Sequence, residues 1–534
     1  MKSSICSIYI VLLTYLVSAQ SGFAQNNQIS GYYPINDELN LGGGEIIIKN
    51  AVLDFKDGTI KNGKIKFEDV TIKGKPHFCK IEFYGNLSMP IRTSWFDIND
   101  ISDLINVFES FKECSGKKHI IIDKPYTFDY SAFTHNQQLL FELSSNSTVE
   151  FNKKGKFIIL PSKREFHQNG LFGVNPHVYA DNIKILNANV ESQSMEGFAA
   201  CLFMAYAAPD YEGTHINNVV ISGARLVNFG GALYCLQTRS INGVGTEERS
   251  HKNIIVKNCY QYGNTSGMFC TVDGDSIQVI DNYCDANNDP NSYDAISCHS
   301  GKNILIKGNI FKHFNNAKGM ILNIRNSEEN NCGSKNIEVV NNKLLDSPNC
   351  HASLNVSLSN ELNYGVHNVK FSNNTVRNSS GIFALTGGKG HKGLLSDIVI
   401  EDNILNLREG SSFFFSAQTL ASSPQNIKVS NNEVVLHISD EAISAINFSC
   451  VDSVSFSNNS ITIKGKSYSP SSAIQVDYYN SFEFVDNYIK AGHHKLGGFV
   501  RGTGLTIENN KYKRKNKSND YDIFLSHDFS DVEF

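Results

Sequence analysis

Proline is scarce in this chain, with eleven in 534 residues, and neither sign of charge prevails: 48 lysines and arginines face 53 aspartates and glutamates. A formal net charge of -5 excludes the strong basic field that nucleic acid or an anionic membrane surface would require. After the short apolar run Ile8–Val17 no segment could span a bilayer, and no Cys-x-x-Cys pair occurs to suggest a thiolate metal site. Leu-x-x-Leu-x-Leu phrasing is also missing, which excludes a leucine-rich horseshoe. What is abundant is asparagine and glycine, as in a β protein with many turns.

The asparagines recur with a period. Segments such as SIQVIDN, NIEVVNN and NVKFSNN end at Asn282, Asn309, Asn342, Asn374, Asn403, Asn432, Asn459, Asn487 and Asn510, at intervals of 27, 33, 32, 29, 29, 27, 28 and 23. Within Ser292–Asn309, Ala295–Cys298 reads as a strand, Ser300 to Lys302 as a turn and Ile304–Lys307 as a second strand, so one strand pair is expected per coil. A unit this small cannot bury its own apolar face and must stack on its neighbours. An Asn at the same bend of each coil can bond the next Asn about 4.8 Å away, and it tolerates the left-handed backbone a sharp bend needs. The fold expected is all-β, a single-stranded right-handed parallel β-helix.

Residues 1–24 read as a secretory signal: Lys2, the apolar run, then Gly22-Phe23-Ala24 before Gln25. The mature chain is accordingly expected in the periplasm or outside the cell. Residues 25–94 form a β-rich lead-in, its 42–78 stretch read as very short strands separated by Gly and Asn-Gly turns. The β-helix is expected over 95–510, opened by a capping helix at 101–113 with Ser102 or Asp103 as N-cap, and 511–534 form a cap or tail. Without Cys6, eleven of twelve cysteines remain. Cys201, Cys235, Cys270 and Cys298, spaced by 34, 35 and 28, are expected to form one inward stack of small side chains.

A short helix, a Gly-containing turn, an apolar strand, Pro125-Tyr126 and coils phrased N-I-x-I-x-x-N resemble the pectate-lyase-like superfamily, in the form secreted by gut Bacteroidetes. The resemblance covers nearly all of the mature chain. It implies a polysaccharide partner and lyase, hydrolase, epimerase or tailspike activity, with monomer and trimer both open. The polygalacturonase set (Asn-Thr-Asp, Asp-Asp, Gly-His-Gly, Arg-Ile-Lys) is absent, and so is the alginate-epimerase phrase Tyr-Gly-Phe-Asp-Pro-His. Tyr293, Asp294 and His299 offer similar chemistry at another spacing.

Aligning consecutive first strands, MFCTVDG, AISCHSG and LNIRNS, places Thr271, Ser297 and Asn323 outward if Val272, Cys298 and Ile324 point inward. Asp273, His299 and Arg325 then form an outward column of acid, imidazole and guanidinium, which Arg239 would extend. Later coils carry bland residues there, Thr386 and Ser449 being the examples. For β-elimination on a uronic-acid glycan, Arg325, with Arg239, would neutralise the carboxylate, His299 would be the base and Tyr293 the candidate acid. Asp294 would hold His299 or a cation, and Ser297 and Asn323 would bind substrate. One alternative is hydrolysis by a carboxylate pair from Asp273, Asp275 and Asp294. Another is a non-catalytic glycan binder using Phe413–Phe415 and Tyr478-Tyr479. No protein metal site is expected, and a calcium ion bridging the acids stands as an open alternative. His391, with Lys389 and Lys392, and the pair His493-His494 read as exposed loop residues.

Overall fold

A computed structural model describes residues 28–87, 89–129, 139–160, 166–175, 178–193, 198–206, 215–236, 251–263, 269–290, 292–326, 332–358, 364–386, 393–409, 411, 413–417, 423–437, 445–465, 472–491, 495–514, 523–525 and 532–533. The signal segment 1–24, Arg239, Lys389, His391, Lys392, His493 and His494 lie outside the described residues. The chain divides into two compact units, one running to Phe128 with Leu143–Lys156, the other comprising Asp129–Glu142 and everything from Phe157 on. No helix among the described residues is long and apolar enough to cross a membrane.

In the first unit, Gln28–Ile35, Glu45–Phe55, Ile60–Gly74 and Phe78–Phe83 pair in parallel. These strands reach 11 and 15 residues and are not the very short ones expected. Single left-handed residues, Asn50, Asn62 and Asp69, bend the strands without ending them, so Asn62-Gly63 is a corner within a ladder. The helix spans Ile101–Glu109 and buries Leu104, Val107 and Phe108. Its N-cap is Asp100, not Ser102 or Asp103. The Asp100 carboxylate accepts the Asp103 N–H at 3.0 Å while Asp103 accepts the Asn99 N–H at 2.9 Å, a reciprocal cap.

The second unit is a stack of coils whose strands all pair in parallel. From Phe198 to His437 each coil has three strands, not two, because a short third strand follows the corner; in the last coils the first two run on as one, as in Ile446–Ser457 and Ser472–Val485. One coil runs Ile296–Cys298, Lys302–Lys307 and Ile310–Lys312, and the next runs Met320–Arg325, Ser334–Val340 and Lys343–Ser347. The fold is an all-β parallel β-helix, of the right hand that such crossovers take. Ile304, Ile337, Val369, Ile398, Ile427, Val454 and Phe482 follow one another by register down the interior, each at most 3 % exposed. Each such side chain contributes about 2 kcal/mol by burial.

The ladder runs from Asn282 to Asn510. Each Nδ2 donates to the Oδ1 of the next Asn at 2.9–3.2 Å, and each backbone N–H donates to the same oxygen. The left-handed residue is not the ladder Asn but its predecessor: Asp281, Gly308, Asn341, Asn373, Asp402, Asn431, Asn458, Asp486 and Asn509, with φ between 53° and 69°. A second, exposed ladder marks the start of the second strands, with Asn303 donating to Asp275, Asn336 to Asn303 and Asn368 to Asn336.

No described cysteine forms a disulfide, and Cys201, Cys235, Cys270 and Cys298 are buried. They do not make one stack. Cys235 is level with Val272 and Cys298 with Ile324, whereas Cys270 lies between Leu233 and Ile296, and Cys201 beside Gly231. Cys235 and Cys298 share a column with Val272 between them, and the buried thiols fill the core like small apolar residues.

Candidate functional site

Strand register fixes the outward face of the first strands. Tyr234, Thr271, Ser297, Asn323, Asn355, Phe383 and Phe414 follow one another, rung by rung. Two residues further along the chain come Asp273, His299, Arg325 and Ser357, in successive coils. The position level with Arg325 continues as Leu385, Ser416, Ser449 and Asp477; Thr386 is one residue off it, level with Leu358.

This column is not a solvated strand end. Asp273 and Ser297 are 0 % exposed, Asp294 6 % and Asn323 7 %. The reason is that each carboxylate is claimed by donors of the neighbouring coil. Asp273 Oδ1 accepts the backbone N–H of His299 at 2.6 Å and that of Ser300 at 3.3 Å, closing the next turn. Asp294 Oδ1 accepts the Met320 N–H at 2.8 Å, and Oδ2 accepts the Asn323 amide at 2.7 Å. Burial holds the Asp294 carboxyl above the usual range, against the pull of Asn323, Met320 and Arg325.

His299 Nε2 lies 2.5 Å from Ser297 Oγ. Its pKa is lowered from 6.5 to about 3, chiefly by burial and secondly by the Arg325 guanidinium. Asp273 Oδ2, 4.0 Å from Nδ1, does not offset these causes. The ring is neutral at physiological pH. Among the described residues, no carboxylate lies within ion-pair distance of the Arg325 guanidinium.

The structure thus brings Asp273, Asp294, Ser297, His299, Asn323 and Arg325 into one cluster. Asp294 is bonded by Met320 and Asn323 and does not bond His299. Tyr293 is 50 % exposed, and among the described residues its hydroxyl bonds none of the cluster. Asp275 stands apart in the exposed ladder, accepting Ser276 Oγ and Asn303 Nδ2. Asn355 and Ser357 are further members: the Asn355 amide donates to Asn323 Oδ1 at 2.9 Å and to Ser357 Oγ at 2.9 Å. Their signal was in the sequence, since LNVS at Leu354 repeats LNIR at Leu322. Beyond them the face turns aromatic, with His351 stacked on Phe383 at 5.4 Å and Phe414 at 6.3 Å from Phe383. Of the aromatics expected outside, Phe413, Phe415 and Tyr479 are buried, because strand alternation turns them inward, and Arg501 covers the Tyr478 ring.

Among the described residues no three His, Cys, Asp or Glu side chains are placed to hold a metal ion. A cavity of about 680 Å³ lies in the first unit, lined by Phe78, Glu82, Asp97, Asp103 and Glu113 among others, and contains none of the candidate residues.

No family model and no curated protein matches the chain. Solved structures do. The A-module of a mannuronan C-5 epimerase of Azotobacter vinelandii is similar at 10% identity and a TM-score of 0.48, over 78% of this chain and 96% of that one. A surface adhesin of Streptococcus pneumoniae gives 13% and 0.41, over 83% and 94%. A tailspike protein of an Escherichia coli bacteriophage gives 12% and 0.43, over 82% and 78%.

Proposed function

We propose that the chain is a secreted or periplasmic enzyme that cleaves a uronic-acid-containing polysaccharide by β-elimination on the outward face of its first strands. The observation that carries this reading is a neutral imidazole beside a cation that has no carboxylate partner among the described residues, on one rung-to-rung step. Arg325 takes the uronate carboxylate, which makes the proton on the adjacent carbon acidic. His299 removes that proton. The C–H electron pair becomes the new C=C bond as the bond to the glycosidic oxygen breaks, and that oxygen takes a proton from Tyr293 or water. The hydrolytic alternative is less favoured, because Asp294 spends both oxygens and Asp273 spends Oδ1 on N–H donors, and Asp275 lies in the exposed ladder.

A second reading, glycan binding without catalysis, draws on the aromatic run His351, Phe383 and Phe414 along the same face. One experiment separates them. Purified protein is incubated with a panel of uronic-acid polysaccharides, and ultraviolet absorbance of an unsaturated product is followed beside new reducing ends. An absorbance rise on one polymer is expected. Reducing ends without absorbance would replace elimination by hydrolysis, and retention on a polymer without either signal would leave a binder.

A further inference from the structure

The short third strands form a sheet separate from the one that carries the candidate site. By register, Arg225, Tyr260, Tyr283, Ile310 and Lys343 follow one another on its outward side. Tyr260 is 41 % exposed, and Tyr262, two residues along the same strand, is 37 % exposed, while Gln261 between them is buried. The rings of Tyr260 and Tyr283 are parallel within 5°, with centroids 5.3 Å apart. Rings in van der Waals contact have planes about 3.5–4.0 Å apart, so these two are slipped sideways and overlap like tiles.

The tiles are held in place. Tyr262 donates its hydroxyl to Asn287 Oδ1 at 3.1 Å, and Tyr283 donates to Asp285 Oδ2 at 3.2 Å. Asp285, 6 % exposed, also accepts the Asn287 N–H at 2.9 Å and bonds His313 Nδ1 at 2.8 Å. One buried carboxylate thus fixes a tyrosine, a turn and an imidazole, whose Nε2 bonds nothing among the described residues. Lys312 is level with Asp285 one rung on, and Lys343 closes the neighbouring column. Among the described residues, no carboxylate lies within ion-pair distance of either lysine. The exposed parts of the three tyrosines amount to roughly 200 Å², against about 800 Å² that each partner of a stable protein complex buries. That is room for a few sugar rings and too little for a protein.

We infer that Tyr260, Tyr262 and Tyr283, with Lys312 and His313, form a second, non-catalytic contact for the uronic-acid polysaccharide, away from the first-strand face. This rests on the proposed substrate class and adds a hold on the polymer that needs no turnover. The apolar C–H face of a sugar ring rests on the tiles, its carboxylate meets Lys312, and its hydroxyls bond His313 Nε2 and the Asn287 side chain.

Binding is read by affinity electrophoresis in gels containing alginate, polygalacturonate or hyaluronate. One of these should retard the unaltered protein, and the double variant Tyr260→Ala, Tyr283→Ala should bind it about tenfold more weakly. Tyr488→Ala is the control. Tyr488 is 40 % exposed on the same column, between Ser460 and Lys511, so it lacks a ring on either adjacent rung and its loss should change nothing. Equal retardation of the double variant and the unaltered protein overturns the inference, and so does no retardation by any of the three polymers. If the double variant keeps its retardation but turns a dimer into a monomer, the tyrosines are an interface between copies instead. Should the double variant fail to fold, Tyr260→Ala alone decides, because that ring is exposed. Retardation lost in the variant, with no unsaturated product on any polymer, would count against the elimination reading and not against this contact. Unsaturated product with unchanged retardation would do the reverse.

Discussion

At the corner that ends each second strand, nine successive coils carry the same residue, whereas on the outward face of the first strands successive coils carry Thr271, Ser297, Asn323, Asn355 and Phe383. Both edges are buried and hydrogen-bonded from coil to coil. An asparagine is donor and acceptor at once, so a column of identical amides satisfies itself and can be extended indefinitely. The face cannot be extended in that way. Its carboxylates, hydroxyl and imidazole are each satisfied by an unlike neighbour, so every rung is specific to its place. Repetition builds stability, and interruption of the repeat builds a site.

The largest expected effect tests the face. His299→Gln keeps a group that can bond Ser297 but removes the base, and turnover of the susceptible polymer should fall about 10²–10⁴-fold. The denaturation midpoint should move less than in any mid-ladder variant. If His299→Gln instead unfolds the protein while turnover per folded molecule persists, face and corner are the same kind of structure and the comparison collapses.

Next comes the corner. Asn403→Ala strips the buried Asn374 N–H and the Phe371 carbonyl of their partners, for a loss of about 2–5 kcal/mol. Asn510 is half-buried and has a ladder partner on one side only, so Asn510→Ala should cost about 1 kcal/mol. Urea denaturation of the two variants decides. Equal losses would sink the ladder as a cooperative element.

A pH titration sharpens the contrast. The folded His299 pKa of about 3 lies below its ordinary 6.5, so between these values the unfolded chain binds a proton that the folded chain does not. Stability must then fall as pH drops below about 6.5, by up to about 1.4 kcal/mol for each pH unit from this group. Ladder asparagines do not titrate. The slope of urea midpoint against pH between 7 and 4.5 should therefore flatten in His299→Gln and persist in Asn510→Ala. Parallel slopes in all three proteins would mean that His299 is charged in the fold.

The corner was legible in the sequence because it repeats: nine asparagines at one period already imply stacked coils and a ladder. Two local features escaped that reading. The third strand is only three residues long in coils such as Ile310–Lys312, too short to show a period of two, and the left-handed position was assigned to the Asn that bonds when its neighbour is the one that turns. The face was legible only as residue types and order. Alternation placed Ser297, His299 and Arg325 on one side, but burial depends on whether a donor waits on the adjacent coil. His299 and Ser300 offer backbone N–H groups to Asp273, and no single-strand pattern reports this. That is also why Ser297 read as a substrate contact and proves to be enclosed.

The smallest effect concerns the residue that makes the turn. Asn341 is exposed and left-handed at φ 58°, and the equivalent position one coil earlier is Gly308 at φ 69°. If the turn needs only that backbone conformation, Asn341→Gly should be nearly neutral, while Asn341→Ala should cost about 1 kcal/mol because Cβ crowds the following carbonyl. The adjacent Asn342 has the opposite requirement. Its amide bonds Asn374 Oδ1 and the Ile306 carbonyl, so Asn342→Gly should cost as much as Asn403→Ala although glycine suits any corner. Urea midpoints of the three variants at positions 341 and 342 therefore separate turning from bonding within two adjacent residues. If Asn341→Gly and Asn342→Gly lose the same stability, the corner does not divide its labour, and its regularity reflects backbone conformation alone.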